Sequence, residues 1–368
     1  KFLHGASVIE SSHVKYEHIF KHLHKCADSE NSESRDMSTK ELLIGHPLSS
    51  KEHAKHALLY MWKIRKFEEA VEDLFGRGMM HGTMHLSIGQ EASPTGICMA
   101  LKLTDQITST HRGHGHCIAK GADLTRMIAE LLGKEIGYCG GRGGSMHIAD
   151  VETGNLGANG IVAGGIPIAT GAGLASKLQN KGTVAVSFFG DGALNEGAFH
   201  EAANMAAIWK LPVIFVCENN KYGMSNSTDK AFALEKLADR GLGYGIPGVT
   251  VDGNDVVAVY EAAERAVQTA REGSGPTLIE CVTYRWKGHS RSDKNLYRTK
   301  EEIEEWKGKE PIAKFMSVLH EKNLLTQAEM DAIQQQATDE IIAAVNESVK
   351  AKAADPAGLE AAVFKAAI

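Results

Sequence analysis

The chain has 368 residues, of which 43% are hydrophobic and 23% are charged, as in a globular protein that buries a large core. Its 40 basic and 46 acidic side chains give a net charge of −6, which argues against nucleic acid or an anionic membrane as a partner. No apolar stretch has the length of a membrane span, and the six cysteines lack paired spacing, so we expect reduced thiols and a cytoplasmic location.

Residues 1–48 differ from the rest of the chain, and we predict that they form a leader or flexible segment. Residues 1–36 are rich in histidine and short polar side chains, and Met37 is a plausible natural start. His18, His22 and Cys26 recur at every fourth position, so a helix would align them as metal ligands. A solvated leader explains the same composition without a metal.

An α/β domain is predicted for residues 49–310. Ser49 and Glu52 have the spacing of a capping box, and apolar residues then recur at helical steps as far as Phe75. Beyond this helix, apolar runs typical of strands buried on both faces alternate with helical patterns. The predicted order is strand 184–189, helix 195–209, strand 211–217, helix 256–271 and strand 277–284. This alternation predicts a central parallel sheet flanked by helices, followed by a C-terminal helical region at 311–368.

Polar residues follow two neighbouring predicted strands at the point where each strand ends. Asp191 lies between Gly190 and Gly192 after the first strand, and Asn219 and Asn220 follow the next. Because parallel strands end at one edge of the sheet, we expect these residues to meet there, with the glycines allowing a sharp turn and close approach of a ligand. A carboxylate, an amide oxygen and a main-chain carbonyl suit Mg²⁺, and a helix N-terminus after Asp191 favours an anion. The pattern predicts a site for a metal-bound diphosphate.

Helix capping and nucleotide binding account less well for these residues. A helix cap at Asp191 and a turn at Asn220 explain each residue singly, but not their joint placement. The segment GDGALNEG does not match GxGxxG, and no segment matches a phosphate-binding P-loop, which argues against those nucleotide-binding folds. The glycines at 171 and 173 lie in a run of small residues, where close helix packing is the simpler reason for them.

The spacing of GDG and NN, with 29 positions from Asp191 to Asn220, resembles the signature of thiamine-diphosphate enzymes. Further segments resemble, in order, the alpha subunit of the thiamine-dependent decarboxylating component of 2-oxo acid and acetoin dehydrogenase complexes. These segments are HLSIGQEA (85–92), STHRGHGHCIAKG (109–121), GRGGSMHIAD (141–150), LGANGIV (156–162), NMAAIWKLPVIFVCENNKYGM (204–224) and YRWKGHSRSDKNLYRT (284–299). The similarity extends from about residue 50 to residue 350.

The resemblance implies a thiamine-diphosphate-binding fold with extra N- and C-terminal helices, and thiamine diphosphate and Mg²⁺ as cofactors. It implies that Mg²⁺ is bound by the side chains of Asp191 and Asn220 and by the backbone carbonyl of Tyr222. The residues implied to contact the organic cofactor are His111, Arg112, Gly160, Val162, Asp191, Gly192, Ala193, Asn220 and His289.

Several histidines acquire expected roles from the same resemblance. His85 and His289 are expected to be catalytic, His85 facing the substrate and His289 on the entrance loop at the diphosphate end. His111 occupies a position at which many relatives have Tyr. For His114, His116 and His147, a structural hydrogen bond explains the residue equally well. The polar loop 287–298 is expected to be mobile without cofactor and ordered with it.

The resemblance also predicts partners and a reaction. In this family the glutamate that activates the pyrimidine ring comes from a beta subunit, so we expect two alpha and two beta chains in a heterotetramer that is inactive without beta. The two-carbon unit is then expected to pass to lipoyl groups of an acyltransferase. Residues 109–121 resemble acetoin enzymes and residues 288–306 resemble pyruvate enzymes, which places pyruvate slightly ahead of acetoin and a branched 2-oxo acid last. A nucleotide-binding protein without thiamine chemistry and a single-chain transketolase-type enzyme are the remaining alternatives.

Overall fold

The computed structural model describes residues 43–363 of the chain. Most of the predicted leader 1–48 lies outside the described residues, as do the candidate metal ligands His18, His22 and Cys26. The proposed domain boundary near residue 310 stays a prediction. Within the described part of the chain, no helix is both long and apolar enough to cross a membrane.

A five-stranded parallel sheet forms the centre of the fold, which confirms the predicted α/β architecture. Its strands run in the order β1-β2-β3-β7-β6, and a two-stranded hairpin (β4 and β5) follows β3. The strands are β1 Gln106–Thr108, β2 Ala185–Gly190, β3 Val213–Asn219, β4 Tyr222–Gly223, β5 Asn226–Ser227, β6 Gly248–Asp252 and β7 Thr277–Val282.

Helices lie on both faces of the sheet. They are α1 Lys51–Gly76, α2 Ala92–Met99, α3 His114–Ala119, α4 Leu124–Leu131, α5 Gly165–Leu178, α6 Gly197–Ile208, α7 Thr228–Ala231, α8 Val256–Arg271, α9 Lys300–Lys307, α10 Pro311–Glu321, α11 Gln327–Lys350 and α12 Leu359–Val363. The helices α10 and α11 pack against α1 through a separate apolar cluster.

Alternate side chains of the strands enter two different cores. Ile214 and Val216 of β3 pack with α1 and α8, whereas Val213 and Phe215 pack with α5 and α6. Both sides of β3 are therefore buried, and its sequence is apolar at nearly every position because neither face meets water. This explains why unbroken apolar runs identified the central strands.

The start of α1 differs from its prediction. Ser50 caps the helix by accepting a hydrogen bond from the backbone N–H of His53 at 3.2 Å, so the predicted capping box of Ser49 and Glu52 is wrong. The hydroxyl of Ser49 instead donates to the carbonyl of His46 at 2.7 Å. Either serine is a residue type preferred at a helix N-cap, and the conformation of the backbone that enters α1 decides which one caps the helix.

The segment after β2 also differs from its prediction. A 3₁₀ turn over Asp191–Asn195 follows the strand, and α6 begins only at Gly197. The helix predicted at 195–209 therefore starts two residues later than predicted and ends one residue earlier. The predicted strand 211–217 is displaced by two residues, so Asn219 belongs to β3 and Asn220 is the first residue beyond it.

Candidate cofactor site

A cavity of about 230 Å³ opens at the carboxyl ends of β2 and β3. The structure brings most of the predicted site residues to this cavity. Those that line it are His111, Arg112, Val162, Asp191, Gly192, Ala193, Asn220, Tyr222 and His289. His85 does not line the cavity, but its ring lies against the rings of His111 and His289. Gly160 also lies outside the lining, beside Met146.

Asp191 is a buried carboxylate at the floor of this cavity. Its side chain is 2% exposed, and burial raises the pKa of its carboxyl group from 3.8 to about 6. No cation of the described residues forms an ion pair with it, although Arg285, Lys221 and Arg112 lie near enough to oppose the shift. A buried carboxylate without a positive partner is costly, and a bound cation would offset that cost.

The two adjacent asparagines have different environments. The side-chain amide of Asn219 donates to Glu280 at 2.7 Å, so this residue is committed to the sheet. Asn220 lines the cavity, and its amide group donates to the side-chain oxygen of Gln90 at 3.3 Å. The side-chain oxygen of Asn220 accepts from the backbone N–H of Tyr222 at 3.4 Å, which leaves it one lone pair for a ligand. Only Asn220 of the pair is therefore available as a ligand.

The backbone carbonyl of Tyr222 accepts a hydrogen bond from a side chain that the sequence analysis did not single out. Arg285 is 1% exposed and donates to the carbonyls of Tyr222 at 3.4 Å and Met224 at 3.0 Å. A carbonyl oxygen accepts two bonds, so the carbonyl of Tyr222 has one lone pair left for a metal. Asp191, Asn220 and Tyr222 thus offer the oxygen atoms that Mg²⁺ prefers.

The glycines around Asp191 leave open space. Gly190 has an ordinary extended backbone (φ −83°, ψ 167°), so the predicted sharp turn does not depend on a glycine at this position. A Cβ atom at Gly190 would meet no protein atom within 4 Å, and one at Gly192 would come no closer than 3.8 Å to Gly223. The fold therefore leaves room beside this backbone, and Gly192 faces the cavity.

Two buried guanidinium groups face the cavity without forming an ion pair. Arg112 donates to the carbonyl of Leu86, and to the carbonyl of His289 at 3.0 Å. Burial, and then repulsion from Arg285, lowers the pKa of Arg112 to about 9. Neither Arg112 nor Arg285 has a carboxylate within ion-pair distance in the described part of the chain. Uncompensated positive charge of this kind fits a bound anion such as a diphosphate.

Three histidines form a cluster beside these arginines. The ring centroids lie 4.7 Å apart for His85 and His111, 4.9 Å for His85 and His289, and 5.4 Å for His111 and His289. Burial, followed by repulsion from Arg112, lowers the pKa values to about 3 for His85, about 2 for His111 and about 4 for His289. All three imidazoles are therefore neutral at pH 7.

Comparison with known proteins identifies the family. The family model described as "Dehydrogenase E1 component" matches residues 60–357. The chain belongs to this family. The resemblance inferred from the motifs is thereby confirmed, and the family implies a thiamine-diphosphate-binding fold and thiamine diphosphate as the cofactor.

Individual relatives of this E1 component carry two kinds of name. The alpha subunit of acetoin:2,6-dichlorophenolindophenol oxidoreductase from Bacillus subtilis (strain 168) is 53% identical over 260 residues, which cover 70% of this chain and 78% of that protein. The subunit of the same name from Cupriavidus necator is 46% identical over 311 residues, covering 83% and 92%. The pyruvate dehydrogenase E1 component subunit alpha of Rhizobium meliloti (strain 1021) is 42% identical over 291 residues, covering 79% and 84%.

The remaining motif histidines of this E1 component have structural partners. His114 contacts Glu68 at 3.2 Å and Ser145 at 2.9 Å, so both of its ring nitrogens are used. His116 likewise contacts Glu218 at 3.1 Å and Ser109 at 2.7 Å. His147 contacts the carbonyl of Gly143 at 2.9 Å. These bonds support a structural role for the three histidines.

The entrance loop of the E1 component is held by its own hydrogen bonds. Asp293 accepts from the backbone N–H of His289 at 2.6 Å and from the hydroxyl of Tyr297 at 2.7 Å. Arg298 donates to the carbonyl of Lys287 at 2.6 Å and to the side chain of Asn295 at 2.6 Å. The response of this loop to cofactor stays a prediction.

Gln90 and Arg285 are the site residues that sequence reasoning missed. Both lie within segments recognised as family-like, HLSIGQEA and YRWKGHSRSDKNLYRT, but no spacing rule assigned either of them a role. Gln90 is 2% exposed, and its side-chain nitrogen has no hydrogen-bond partner in the described residues. Their positions inside recognised motifs were the available signal.

Proposed function

We propose that the chain is the alpha subunit of a thiamine-diphosphate-dependent dehydrogenase component that takes a two-carbon unit from acetoin or pyruvate and passes it to lipoyl groups. The observation that carries this proposal is that buried groups of opposite charge lie around one cavity. Among residues 43–363, the buried carboxylate of Asp191 forms no ion pair, and neither do the buried cations Arg112 and Arg285. A divalent cation bound to a diphosphate would neutralise both.

We assign the metal as Mg²⁺, with Asp191, Asn220 and the carbonyl of Tyr222 as ligands. Their oxygens form a hard ligand set, and the diphosphate and water would fill the remaining positions. Arg112 would neutralise the diphosphate, His111 and His289 would contact it, and the backbone N–H groups of Gly192 and Ala193 would donate to it. Gly160 and Val162 would contact the aminopyrimidine through backbone groups. The open space beside Gly192 supports this arrangement.

When bound, thiamine diphosphate supplies a nucleophilic carbon and an electron sink for the two-carbon unit. The chain's own residues would bind and orient it. His85 is proposed to face the substrate and His289 to lie on the entrance loop at the diphosphate end, and their neutral imidazoles would accept or donate hydrogen bonds at these places. Arg112 joins these elements because it bonds the carbonyl of His289 and so connects the entrance loop to the cavity wall.

A partner subunit is proposed because no free carboxylate within residues 43–363 suits the pyrimidine ring. Glu218 lines the cavity, but its oxygens already accept from Ser93 at 2.5 Å and from His116 at 3.1 Å. Glu196 lines the cavity but is exposed. Exposed apolar side chains near the cavity and along α5 and α6 support a partner chain that covers this surface. They are Ile161, Val162, Ile168, Met205, Ile208 and Trp209.

A beta subunit is the partner that the alpha-subunit names of the relatives imply, and we propose two alpha and two beta chains with a lipoyl acyltransferase as acceptor. The five cysteines of residues 43–363 are all free thiols, which supports the expected cytoplasmic location.

The identities of the relatives alter the order of the two substrates. Motif comparison placed pyruvate slightly ahead, whereas relatives named for acetoin are 53% and 46% identical and relatives named for pyruvate are 38% to 44% identical. We therefore propose acetoin first and pyruvate second. Both provide a two-carbon unit, so one small pocket would serve either substrate.

Reconstitution with the beta subunit from the same genome tests this function. We expect turnover only with both subunits, thiamine diphosphate and Mg²⁺, and kcat/KM in the order acetoin, pyruvate, 3-methyl-2-oxobutanoate. A preference for pyruvate would reverse the first two, and a preference for the branched acid would contradict the substrate class. Robust turnover by the alpha chain alone would contradict the need for a partner. A larger rise in melting temperature with NAD than with Mg²⁺ and thiamine diphosphate would contradict the cofactor.

A further inference from the structure

Three histidine side chains from separate segments of the chain meet beside the cavity. We propose that His85, His111 and His289 form a second metal site, for a late transition-metal ion and in particular Zn²⁺. Its nitrogen ligands distinguish it from the oxygen ligands around Asp191.

The spacing of the ring nitrogens suits one ion. One nitrogen of each histidine lies within 4.8 Å of the corresponding nitrogens of the other two. Around a tetrahedral Zn²⁺ with Zn–N bonds of about 2.0 to 2.1 Å, ligand nitrogens lie about 3.4 Å apart. Rotation of the half-buried side chains of His111 and His289 toward the buried His85 would close this difference.

The three imidazoles have no hydrogen-bond partners among residues 43–363. His85 is 6% exposed, and its Nδ1 is buried without a partner, as is Nδ1 of His289. The contrast with His114 and His116 is direct, since both nitrogens of each are hydrogen-bonded within the fold. Buried nitrogens that the protein does not satisfy are expected to meet a ligand.

The ligand chemistry of the cluster also suits a metal. The unprotonated nitrogen of a neutral imidazole has the lone pair that binds a metal. Three imidazoles without a carboxylate select Zn²⁺, Cu²⁺ or Ni²⁺ over Mg²⁺, which prefers oxygen ligands. The fourth tetrahedral position is left to water or to an added anion, as in sites with three protein ligands.

Arg112 and Arg285 oppose the binding of a cation at this cluster. Arg112 is fixed on the carbonyls of Leu86 and His289, so it cannot withdraw without breaking those bonds. An anion in the fourth position would offset this repulsion. We therefore expect reversible binding at this site, weaker than in a structural zinc site.

One consequence depends on the proposed function. His111 and His289 are also proposed to contact the diphosphate, so Zn²⁺ and thiamine diphosphate would compete for these side chains. Zn²⁺ would then inhibit cofactor loading. The metal site itself does not depend on this competition.

Position 111 provides the sharpest variant. His111→Tyr removes one nitrogen ligand while retaining an aromatic ring in the cavity wall. Loss of a direct ligand is expected to weaken binding at least as much as loss of an outer-sphere partner, which costs about 10- to 100-fold. His320→Gln is the matched control, because this histidine is exposed on α10.

The test is calorimetric titration of the full-length metal-free chain with Zn²⁺, together with the visible absorbance of Co²⁺ as a probe of nitrogen ligation. The background chain for all variants has His4, His13, His18, His22 and His24 replaced by Gln and Cys26 replaced by Ser, so that the N-terminal histidines and cysteine contribute no signal. We expect one equivalent of Zn²⁺ to bind, and we expect His111→Tyr to raise its Kd about 10-fold or more. His320→Gln and Asp191→Ala should leave the Kd for Zn²⁺ unchanged. His289→Gln serves as a second variant if His111→Tyr does not fold by circular dichroism.

The outcomes are distinct. Equal Zn²⁺ binding by the background chain and by folded His111→Tyr or His289→Gln overturns the proposal. Loss of the equivalent in Asp191→Ala alone assigns the ion to the oxygen site and also overturns it. If the His111-dependent equivalent is present but Mg²⁺–thiamine diphosphate fails to displace it, the metal site stands and the proposed placement of the diphosphate fails.

Discussion

Replacement of Asp191 by Asn is expected to have opposite effects on the stability of the free chain and on cofactor binding. Burial raises the pKa of the Asp191 carboxyl from 3.8 to about 6. One pKa unit corresponds to about 1.36 kcal/mol, so the shift represents about 3 kcal/mol of destabilisation when the group is ionised. We expect Asp191→Asn to stabilise the metal-free chain by up to about 3 kcal/mol at pH 8.

The pH dependence follows from the direction of this shift. Between pH 6 and pH 3.8 the folded chain holds the Asp191 proton more tightly than the unfolded chain does, so stability from this group rises as the pH falls. The full cost is present above the folded pKa and disappears below the unfolded one. The stabilising effect of Asp191→Asn should therefore fall to about half of its value at pH 5.

Binding should change in the other direction. Asparagine keeps the shape of the side chain but removes its charge, so Mg²⁺-dependent binding of thiamine diphosphate should be strongly weakened. Urea unfolding with a chelator at pH 8 and pH 5 measures stability, and calorimetry with Mg²⁺ measures binding. Glu196→Gln is the control, because Glu196 is an exposed carboxylate that lines the same cavity and should change stability by less than about 0.5 kcal/mol. The reasoning fails if Asp191→Asn destabilises the free chain equally at both pH values or binds cofactor normally.

Three further predictions follow from other contacts. Gln90→Leu removes the acceptor that orients Asn220, so the Mg²⁺ concentration needed for thiamine diphosphate binding should rise about 10- to 100-fold. An unchanged calorimetric midpoint would exclude this positioning role of Gln90. Hydrogen exchange in the loop 287–298 should slow when Mg²⁺ and thiamine diphosphate bind, and equal exchange rates would contradict the expected ordering. Ser50→Ala should lower the free energy of unfolding by about 1 kcal/mol while Ser49→Ala has a smaller effect, since only Ser50 caps α1. Equal losses of stability for the two variants in urea unfolding would contradict this prediction.

The sequence by itself determined the three central strands of the sheet and the two residues that follow two of these strands at the site. Unbroken apolar runs marked β2, β3 and β7, and helical periodicity marked α8 at the bounds that the structure has, Val256–Arg271. These signals are local, because burial on both faces of a strand or on one face of a helix is recorded in neighbouring residues. Once the strands were known to be parallel, Asp191 and Asn220 followed at one edge.

Short or half-exposed elements gave too weak a signal to be predicted. The strand β1 has only three residues, and β6 is an edge strand whose side chains are mostly part-exposed. The choice of Ser50 over Ser49 as the cap of α1 also depends on the backbone that enters the helix. Local pattern leaves such alternatives nearly equal in free energy, and packing with distant segments decides between them.

Only the tertiary structure determined how the site is assembled. The cluster of His85, His111 and His289 joins three segments that are far apart in the chain, and the bond from Asn220 to Gln90 spans the sheet edge in the same way. Spacing rules describe neighbours along the chain, whereas these contacts arise where separate loops converge on one cavity. The neutral state of the histidines and the raised pKa of Asp191 likewise arise from burial and from the charge of Arg112 and Arg285, which exist only once the chain has folded.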